Sequence, residues 1–522
     1  MKELVFSRLL LPAAERWGSR VGFHDGGYQA TFSEHVDRVV RLVDSMRHEL
    51  GLERDSRFAV MACNGHEYLE LYHAAFLGGG VVTPLNLRLA GRELQTLLAD
   101  SGAEVVFVDP VFADHLARNI ADVRADLPLR HVVLIGDGDV PHDLRYEDLI
   151  DAGAAVTPDE PAEDDPVVLM YTGGTTGLPK GVLLEHRAEM LNVYHIGLAV
   201  GFPEGRVYLH QTPMFHAASM AGVLGIPAIG GVSTFVPLFE PGQVLDTIER
   251  YHVDWTVMVP TMIAMLLDHP QFAPERLTSL RDLVYGASPM SVALLERLQQ
   301  TFPHLNLWQG YGMTECSSVA TFLTADDHRR GGSILRSAGR PLIGVEACIQ
   351  DADGKRLAPG LDGEVCLRGG NFLREYWHRP EQTARALRNG WYHSGDIGHV
   401  DDDGYVYLVD RLNDMIVSGG ENVYSIEVER AIESHPAVAQ VAVIGIPNEI
   451  WGEQVHAIVV LHPGNDVTED EIKVHALRSI AGYKVPKSVE FRSEPLPVSG
   501  ALKPVKVELR APYWEGHDAR VH

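Results

Sequence analysis

The stretch Met170-Tyr-Thr-Gly-Gly-Thr-Thr-Gly-Leu-Pro-Lys-Gly181 decides how the rest of the chain is read. It follows Val167-Val-Leu-Met, a short apolar run that reads as a buried strand. Its glycines, Gly173, Gly174, Gly177 and Gly181, let the backbone approach an anion closely and turn its N–H groups inward. Thr172, Thr175 and Thr176 add hydroxyls, and Lys180 adds a cation. That is the chemistry a polyphosphate needs. A Walker A loop requires Gly-Lys-Ser/Thr. Here Pro179 precedes Lys180 and Gly181 follows it, so that reading fails.

Strand and helix patterns alternate on both sides of the loop. Phe58-Ala-Val-Met-Ala, Val81-Val-Thr-Pro-Leu and Ala103-Glu-Val-Val-Phe-Val-Asp read as strands, and His66 to Leu77 as a helix. Beyond the acidic linker Thr157 to Pro166 come a strand at Val167–Tyr171, a helix after His186 and a strand at Trp255–Val259. Such alternation predicts parallel sheets covered by helices. From about 335 the texture turns to short strands with turn signals such as Asp351-Ala-Asp-Gly and Pro359-Gly-Leu-Asp-Gly. After Arg411 a helix (Ser425 to His435), strands (Val438–Ile446, Val455–Leu461) and a helix (Asp470–Ile480) suggest a compact α+β domain. The expected fold is α/β. An N-terminal body, 1–411, carries two αβ-layered subdomains (about 1–160 and 161–334) and a small β-barrel (335–411). A smaller α+β C-terminal domain, 412–522, follows.

The 522 residues include 44 Lys+Arg against 71 Asp+Glu, a formal charge of −27 that disfavours nucleic acid and anionic membrane as partners. Cys63, Cys316, Cys348 and Cys366 are far apart with no CxxC pair, which argues against both a zinc site and a disulfide scaffold. The N-terminus reads as an amphipathic helix rather than a signal peptide. Ala217 to Phe239 is free of charge and long enough to span a bilayer. Its glycines and prolines break it, so it reads as buried helix, turn and strand, without a transmembrane segment. The expected location is the cytoplasm.

The glycine-rich loop resembles the phosphate-binding signature of the adenylate-forming enzymes: acyl-CoA synthetases, peptide-synthetase adenylation domains and luciferases. The family usually has Ser where this chain has Gly173. Later blocks follow in family order, so the resemblance covers nearly the whole chain. Gln309-Gly-Tyr-Gly-Met-Thr-Glu315 is similar to the nucleotide-holding block, with Gln309, Gly310 and Gly312 around Tyr311. The resemblance implies that Tyr311 stacks on adenine and Thr314 approaches the α-phosphate. It also implies that Glu315 and Thr172 hold Mg²⁺. Gly286 and Ala287 of Tyr285-Gly-Ala-Ser-Pro289 resemble the adenine side. Asp396 of Trp391-Tyr-His-Ser-Gly-Asp396 and Arg411 resemble the ribose contacts, and Asn413 stands at the hinge. Gly419 and Gly420 of Ser418-Gly-Gly-Glu-Asn-Val-Tyr424 resemble the loop facing the site during thioester formation. Lys503 falls on the catalytic lysine position, with Lys506 as runner-up.

The implied function is an ATP-dependent acid:CoA ligase. It activates an apolar acid, foremost a fatty acid, as acyl-AMP with release of pyrophosphate, then transfers the acyl group to CoA. Gln211-Thr-Pro-Met-Phe-His216 resembles the block leading into the acyl pocket, with His216 a candidate gate. No acid lies between His216 and Glu240, which disfavours an amino acid substrate, and Ala217 replaces the Asn typical of dihydroxybenzoate-type enzymes. Transfer to a carrier-protein thiol, an aryl acid and a homodimer stay open, as does a non-catalytic nucleotide sensor, which Glu315, Asp396, Arg411 and Lys503 argue against. From Lys473 to Arg510 eight basic residues stand against three acidic ones. This segment, Lys484 included, is the expected attractant for the phosphates of CoA.

Overall fold

The computed structural model describes residues 4–89, 91–172, 179–288, 290–411, 414–418, 421–448, 451–498 and 504–515. Two large sheets form the N-terminal body. One runs in the order Glu375–Tyr376, Lys180–Glu185, Pro166–Thr172, Val81–Pro84, Arg57–Met61, Ala103–Val108, His131–Leu134 and Leu144–Arg145. From Pro166–Thr172 to Leu144–Arg145 every pairing is parallel. Side chains alternate across it, so each face has its own core. Phe58, Val60, Val105 and Phe107 enter one cluster, beside the helix Phe32–His48. Ala59, Met61, Val106 and Val108 enter another, against the helices Gly91–Ser101 and Pro110–Ile120. Burial on both faces explains why these strands read as continuous apolar runs.

The second large sheet is parallel through its centre, where Val207–His210, Trp255–Met258, Asp282–Gly286 and Asn306–Tyr311 lie side by side. Sheet membership does not follow the linear subdivision expected near residue 160. The N-terminal strands Val21–Asp25 and Tyr28–Thr31 complete the second sheet, while Pro166–Thr172 and Lys180–Glu185 belong to the first.

The charge-free stretch after His216 is broken into a turn at Ala217–Ser219, a π-turn at Ala221–Gly225, a short helix at Ile226–Ala228 and a strand at Val232–Phe235. Among the described residues no helix is long and apolar enough to cross a membrane.

In the region expected to form a small barrel, Val345–Gln350, Gly363–Gly369, Trp391–Val400, Leu387–Arg388 and Val406–Arg411 build an antiparallel sheet. Beyond it, Val438–Asn448 and Gly452–Leu461 pair as a long hairpin. The helices Ser425–Glu433 and Glu469–Leu477 share a core with it through Val428, Ile432, Ile472 and Ala476.

Candidate active site

The flanks of the glycine-rich loop are a hairpin in which Thr172 lies opposite Lys180. Thr172 Oγ1 is 3.5 Å from the Lys180 carbonyl oxygen. Gly173, Gly174, Thr175, Thr176 and Gly177 lie outside the described residues. The short strand Glu375–Tyr376 adds to the hairpin, pairing Tyr376 with Val182. This puts the Lys180 ammonium 5.4 Å from the centre of the Tyr376 ring. The Tyr376 hydroxyl donates to Glu315 Oε1 at 2.7 Å and lies 3.4 Å from the Tyr392 hydroxyl. One tyrosine thus joins the loop's lysine to the carboxylate expected to hold the metal.

Thr314 and Glu315 sit in the single turn Thr314–Cys316. Two buried carboxamides clamp that turn: Asn371 Nδ2 donates to the Cys316 carbonyl at 3.0 Å, and Asn192 Nδ2 to the Val319 carbonyl at 2.8 Å. Ser317 adopts φ +57° and Ser318 φ +129°, a sharp reversal for side-chain-bearing residues. A Cβ on Gly312 would strike the Ser318 carbonyl folded back over it, so the reversal requires glycine there.

On the neighbouring strand, the Tyr311 hydroxyl donates to Asp396 Oδ2 at 2.6 Å. Burial and the adjacent Asp396 carboxylate push the Tyr311 phenol well above its ordinary value, which keeps it a donor. Asp396 lies directly opposite Arg411 in the antiparallel pair, so the Tyr311–Asp396 hydrogen bond links the second large sheet to the small antiparallel sheet beside the strand that carries Arg411. Gly286 lies opposite Gly310, and a Cβ on Gly286 would collide with the Gly310 carbonyl. Ala287 follows with φ +67°, a strained turn where the resemblance places adenine. The Tyr285 hydroxyl reaches Gln309 Oε1 at 3.4 Å and His328 Nε2 at 2.7 Å.

His216 precedes the turn Ala217–Ser219 and packs against the Phe215 ring, with centroids 4.4 Å apart. Its surroundings are apolar: Met214, Phe215, Ala217, Met220 and Val223 are buried. One polar group in this region escaped sequence reading. Glu189 is fully buried, and its carboxylate oxygens meet no hydrogen-bond partner among the described residues. Burial pushes its carboxyl up to about 8, so it is largely protonated at neutral pH.

The C-terminal segment departs from expectation. Lys484 Nζ lies 2.6 Å from Glu427 Oε2 and 2.8 Å from Glu427 Oε1. Lys473 pairs with Glu469 at 2.5 Å, Lys506 with Glu429 at 2.7 Å and Arg510 with Asp414 at 2.9 Å. All four acids lie outside the stretch whose charge was counted, so its excess of positive charge is largely neutralised, by Glu469 one helical turn away and by Glu427, Glu429 and Asp414 from elsewhere in the chain. The free Lys484 cation expected from the sequence is a paired one. Lys506 also donates to Ser425 Oγ at 2.7 Å, which marks this runner-up as a structural cation. Lys503, Asn413, Gly419 and Gly420 lie outside the described residues. The flanks of Lys503 are informative: Val498 bridges Pro504, and Arg88 Nη1 donates to the Val498 carbonyl at 2.6 Å. Val498 therefore rests on the N-terminal body.

Sequence reading missed Tyr376, Asn192, Asn371 and Arg88. Each acts across elements far apart in the chain, and none stands in a motif that would mark it. For Mg²⁺ the residues fit: Glu315, 9% exposed, meets the neutral Tyr376 hydroxyl at Oε1, and oxygen donors suit a hard cation.

Comparison with known proteins agrees with this arrangement. The family model "AMP-binding enzyme" matches residues 11–377, and "AMP-binding enzyme C-terminal domain" matches 427–503. A feruloyl-CoA synthase from Amycolatopsis sp is 38% identical over 488 residues, 93% of this chain and 94% of that protein. A fatty acid–[acyl-carrier-protein] ligase, ScoC, from Streptomyces coeruleorubidus is 34% identical over 474 residues, covering 90% of this chain and 89% of that one. The crystal structure of ATP-bound MatB from Rhodopseudomonas palustris superposes with a TM-score of 0.89 at 28% identity, over 99% of this chain and 100% of that chain. This chain belongs to the AMP-binding enzyme family, within the adenylate-forming superfamily, and its activity is that of an acid–thiol ligase.

Proposed function

We propose that this enzyme joins an apolar carboxylic acid to CoA in two half-reactions. In the first, a carboxylate oxygen of the acid attacks the α-phosphorus of ATP, and pyrophosphate leaves. In the second, the CoA thiol attacks the acyl carbonyl, and AMP leaves. Both nucleotides are polyanions, so the first step requires positive charge and fixed donors around a phosphoryl transition state. Thr172, Gly173, Gly174, Thr175, Thr176, Gly177 and Lys180 hold the departing pyrophosphate. Tyr311 presents its ring to adenine while its hydroxyl fixes Asp396 for the ribose, with Arg411 opposite. Thr172 and Glu315 would hold Mg²⁺, which when bound offsets phosphate charge. Lys503 serves the first half-reaction. Rotation about Asn413 then brings Gly419 and Gly420 to the second. Lys484 reaches CoA phosphates only at the expense of its Glu427 pair, so its part in CoA binding is small. We place the enzyme in the cytoplasm.

The observation that carries this reading is the Tyr376 bridge, which assembles Lys180 and Glu315 around one ring. The apolar lining beside His216 and the two thioester-forming relatives support a fatty or aromatic acid. The test is an acid panel over aliphatic chain length and aromatic acids, with ATP and either CoA or a holo carrier protein, weighing the product. An acyl-CoA is expected. Acyl transfer to the carrier protein alone would replace CoA as acceptor, and no pyrophosphate release with any acid would overturn the reading.

A further inference from the structure

Cys348, Cys366 and His393 form a row across three neighbouring strands of the small antiparallel sheet. Cys348 stands opposite Cys366, and Cys366 opposite His393. Glu364, two residues from Cys366, presents its side chain on the same face. Val365 and Leu367 turn the other way, into the core. Cys366 Sγ lies 3.3 Å from His393 Nδ1, which lies 2.7 Å from Glu364 Oε2. The donor atoms of Glu364, Cys366 and His393 are all within 4.8 Å of one another. Cys348 faces Cys366 directly across the strand pair, and Gln350 Nε2 donates to Cys348 Sγ at 3.4 Å. Both thiols are free, with exposures of 2% for Cys348 and 0% for Cys366. Arg388 Nη2 holds Glu364 Oε2 at 3.0 Å, and the Gly395 amide donates to Glu364 Oε1 at 3.2 Å. His393 Nε2 is buried without a hydrogen-bond partner among the described residues.

A buried imidazole, a half-buried carboxylate and two buried thiols thus meet at one point, a donor set that apolar packing alone does not call for. We propose that Glu364, Cys366 and His393, with Cys348 as fourth donor, bind a zinc ion. Thiolate sulfur and imidazole nitrogen favour zinc over the hard cation expected at Glu315. Tetrahedral zinc, with bonds of about 2.3 Å to sulfur and about 2.0 Å to nitrogen, sets donors roughly 3.3–3.8 Å apart. The Cys366–His393 separation of 3.3 Å meets that spacing, and the Glu364–His393 contact opens slightly on binding. The ion displaces the two thiol protons to solvent, and Arg388 offsets the carboxylate's charge. Spacing along the chain concealed this set, because the ligands meet through strand register. The site ties the strand that carries Asp396 to Gly363–Gly369 and, through Cys348, to Val345–Gln350 beyond it, and it stands independently of the acid or thiol the enzyme uses.

The test uses the full chain, purified with an alkylating agent in the final step and again without it. Zinc content is measured by plasma emission, and the zinc-depleted protein is titrated with Co²⁺ and followed in the near ultraviolet. About one metal per chain and a sulfur-to-cobalt charge-transfer band are expected. Cys366→Ser should abolish the band. Cys348→Ser should keep a weaker one with at least about tenfold lower affinity, circular dichroism verifying the fold of each. Zinc should raise the melting temperature of the depleted wild type and leave that of Cys366→Ser unchanged. The proposal fails if the wild type takes up no metal or gives no thiolate band. It fails equally if Cys366→Ser keeps the band, or if a Cys348–Cys366 disulfide accounts for both thiols.

Discussion

Two carboxylates of the N-terminal body and the cations of the C-terminal segment are held in opposite ways. In the body, Glu315 and Asp396 are each fixed by a neutral tyrosine hydroxyl, Tyr376 and Tyr311. A neutral donor orients a carboxylate without cancelling its charge. In the C-terminal segment, Lys484, Lys506 and Arg510 are each fixed by a carboxylate. Those pairs stabilise the domain but leave little charge to offer a ligand. The difference bears on where the chemistry lies: carboxylates oriented by neutral donors in the body, and described cations paired with carboxylates in the cap.

The sharpest way to break this contrast is Lys503→Ala. Adenylation, read as pyrophosphate release, should fall by about 10²–10³-fold, while thioester formation from supplied acyl-AMP persists. Equal loss of both steps would remove Lys503 from the role assigned to it. Glu315→Gln should lower adenylation by about 10²-fold and raise the Mg²⁺ concentration needed for half-maximal rate; an unchanged Mg²⁺ profile would contradict the metal role. Tyr376→Phe deletes a hydrogen bond to a charged group, worth about 1.5–3 kcal/mol, so a loss of roughly 10–100-fold is expected with Glu315 still in place. A rate equal to wild type would show that the tyrosine does not orient Glu315.

Glu189 supplies a pH effect. Its carboxyl is raised to about 8 by burial, against an ordinary value of 4.5. The folded state therefore binds more protons than the unfolded state between those values, and stability from this group, full below about 4.5, is lost as pH rises toward about 8. Glu189→Gln should flatten that slope in denaturant melts, and a slope matching wild type would exclude Glu189 as its source. The smallest effect belongs to Lys484→Ala. Because Glu427 already consumes that charge, the KM for CoA should change by no more than about twofold. A tenfold rise would restore Lys484 as a phosphate contact.

Much of the site was legible because its residues come in local blocks. Tyr311 and Glu315 stand four positions apart, and Asp396 lies in its own glycine-marked motif. The parallel sheets were legible from apolar runs such as Phe58 to Met61, whose alternate side chains fill two cores. What stayed hidden was register. Nothing near Tyr376 announces that it pairs with Val182 and thereby reaches both Lys180 and Glu315. The C-terminal charge count misled for the same reason: Glu427, Glu429 and Asp414 answer cations found 57 to 96 positions later. The cysteines read as isolated until strand pairing set Cys348 against Cys366.

The central claim, an acyl-adenylate route to the thioester, is tested most directly by following oxygen. The acid is supplied with its carboxylate labelled with heavy oxygen, together with ATP and CoA, and the nucleotide product is weighed. Attack of the carboxylate on the α-phosphorus transfers one labelled oxygen to AMP for each acyl-CoA formed. Unlabelled AMP, or label in inorganic phosphate with ADP as the nucleotide product, would contradict it.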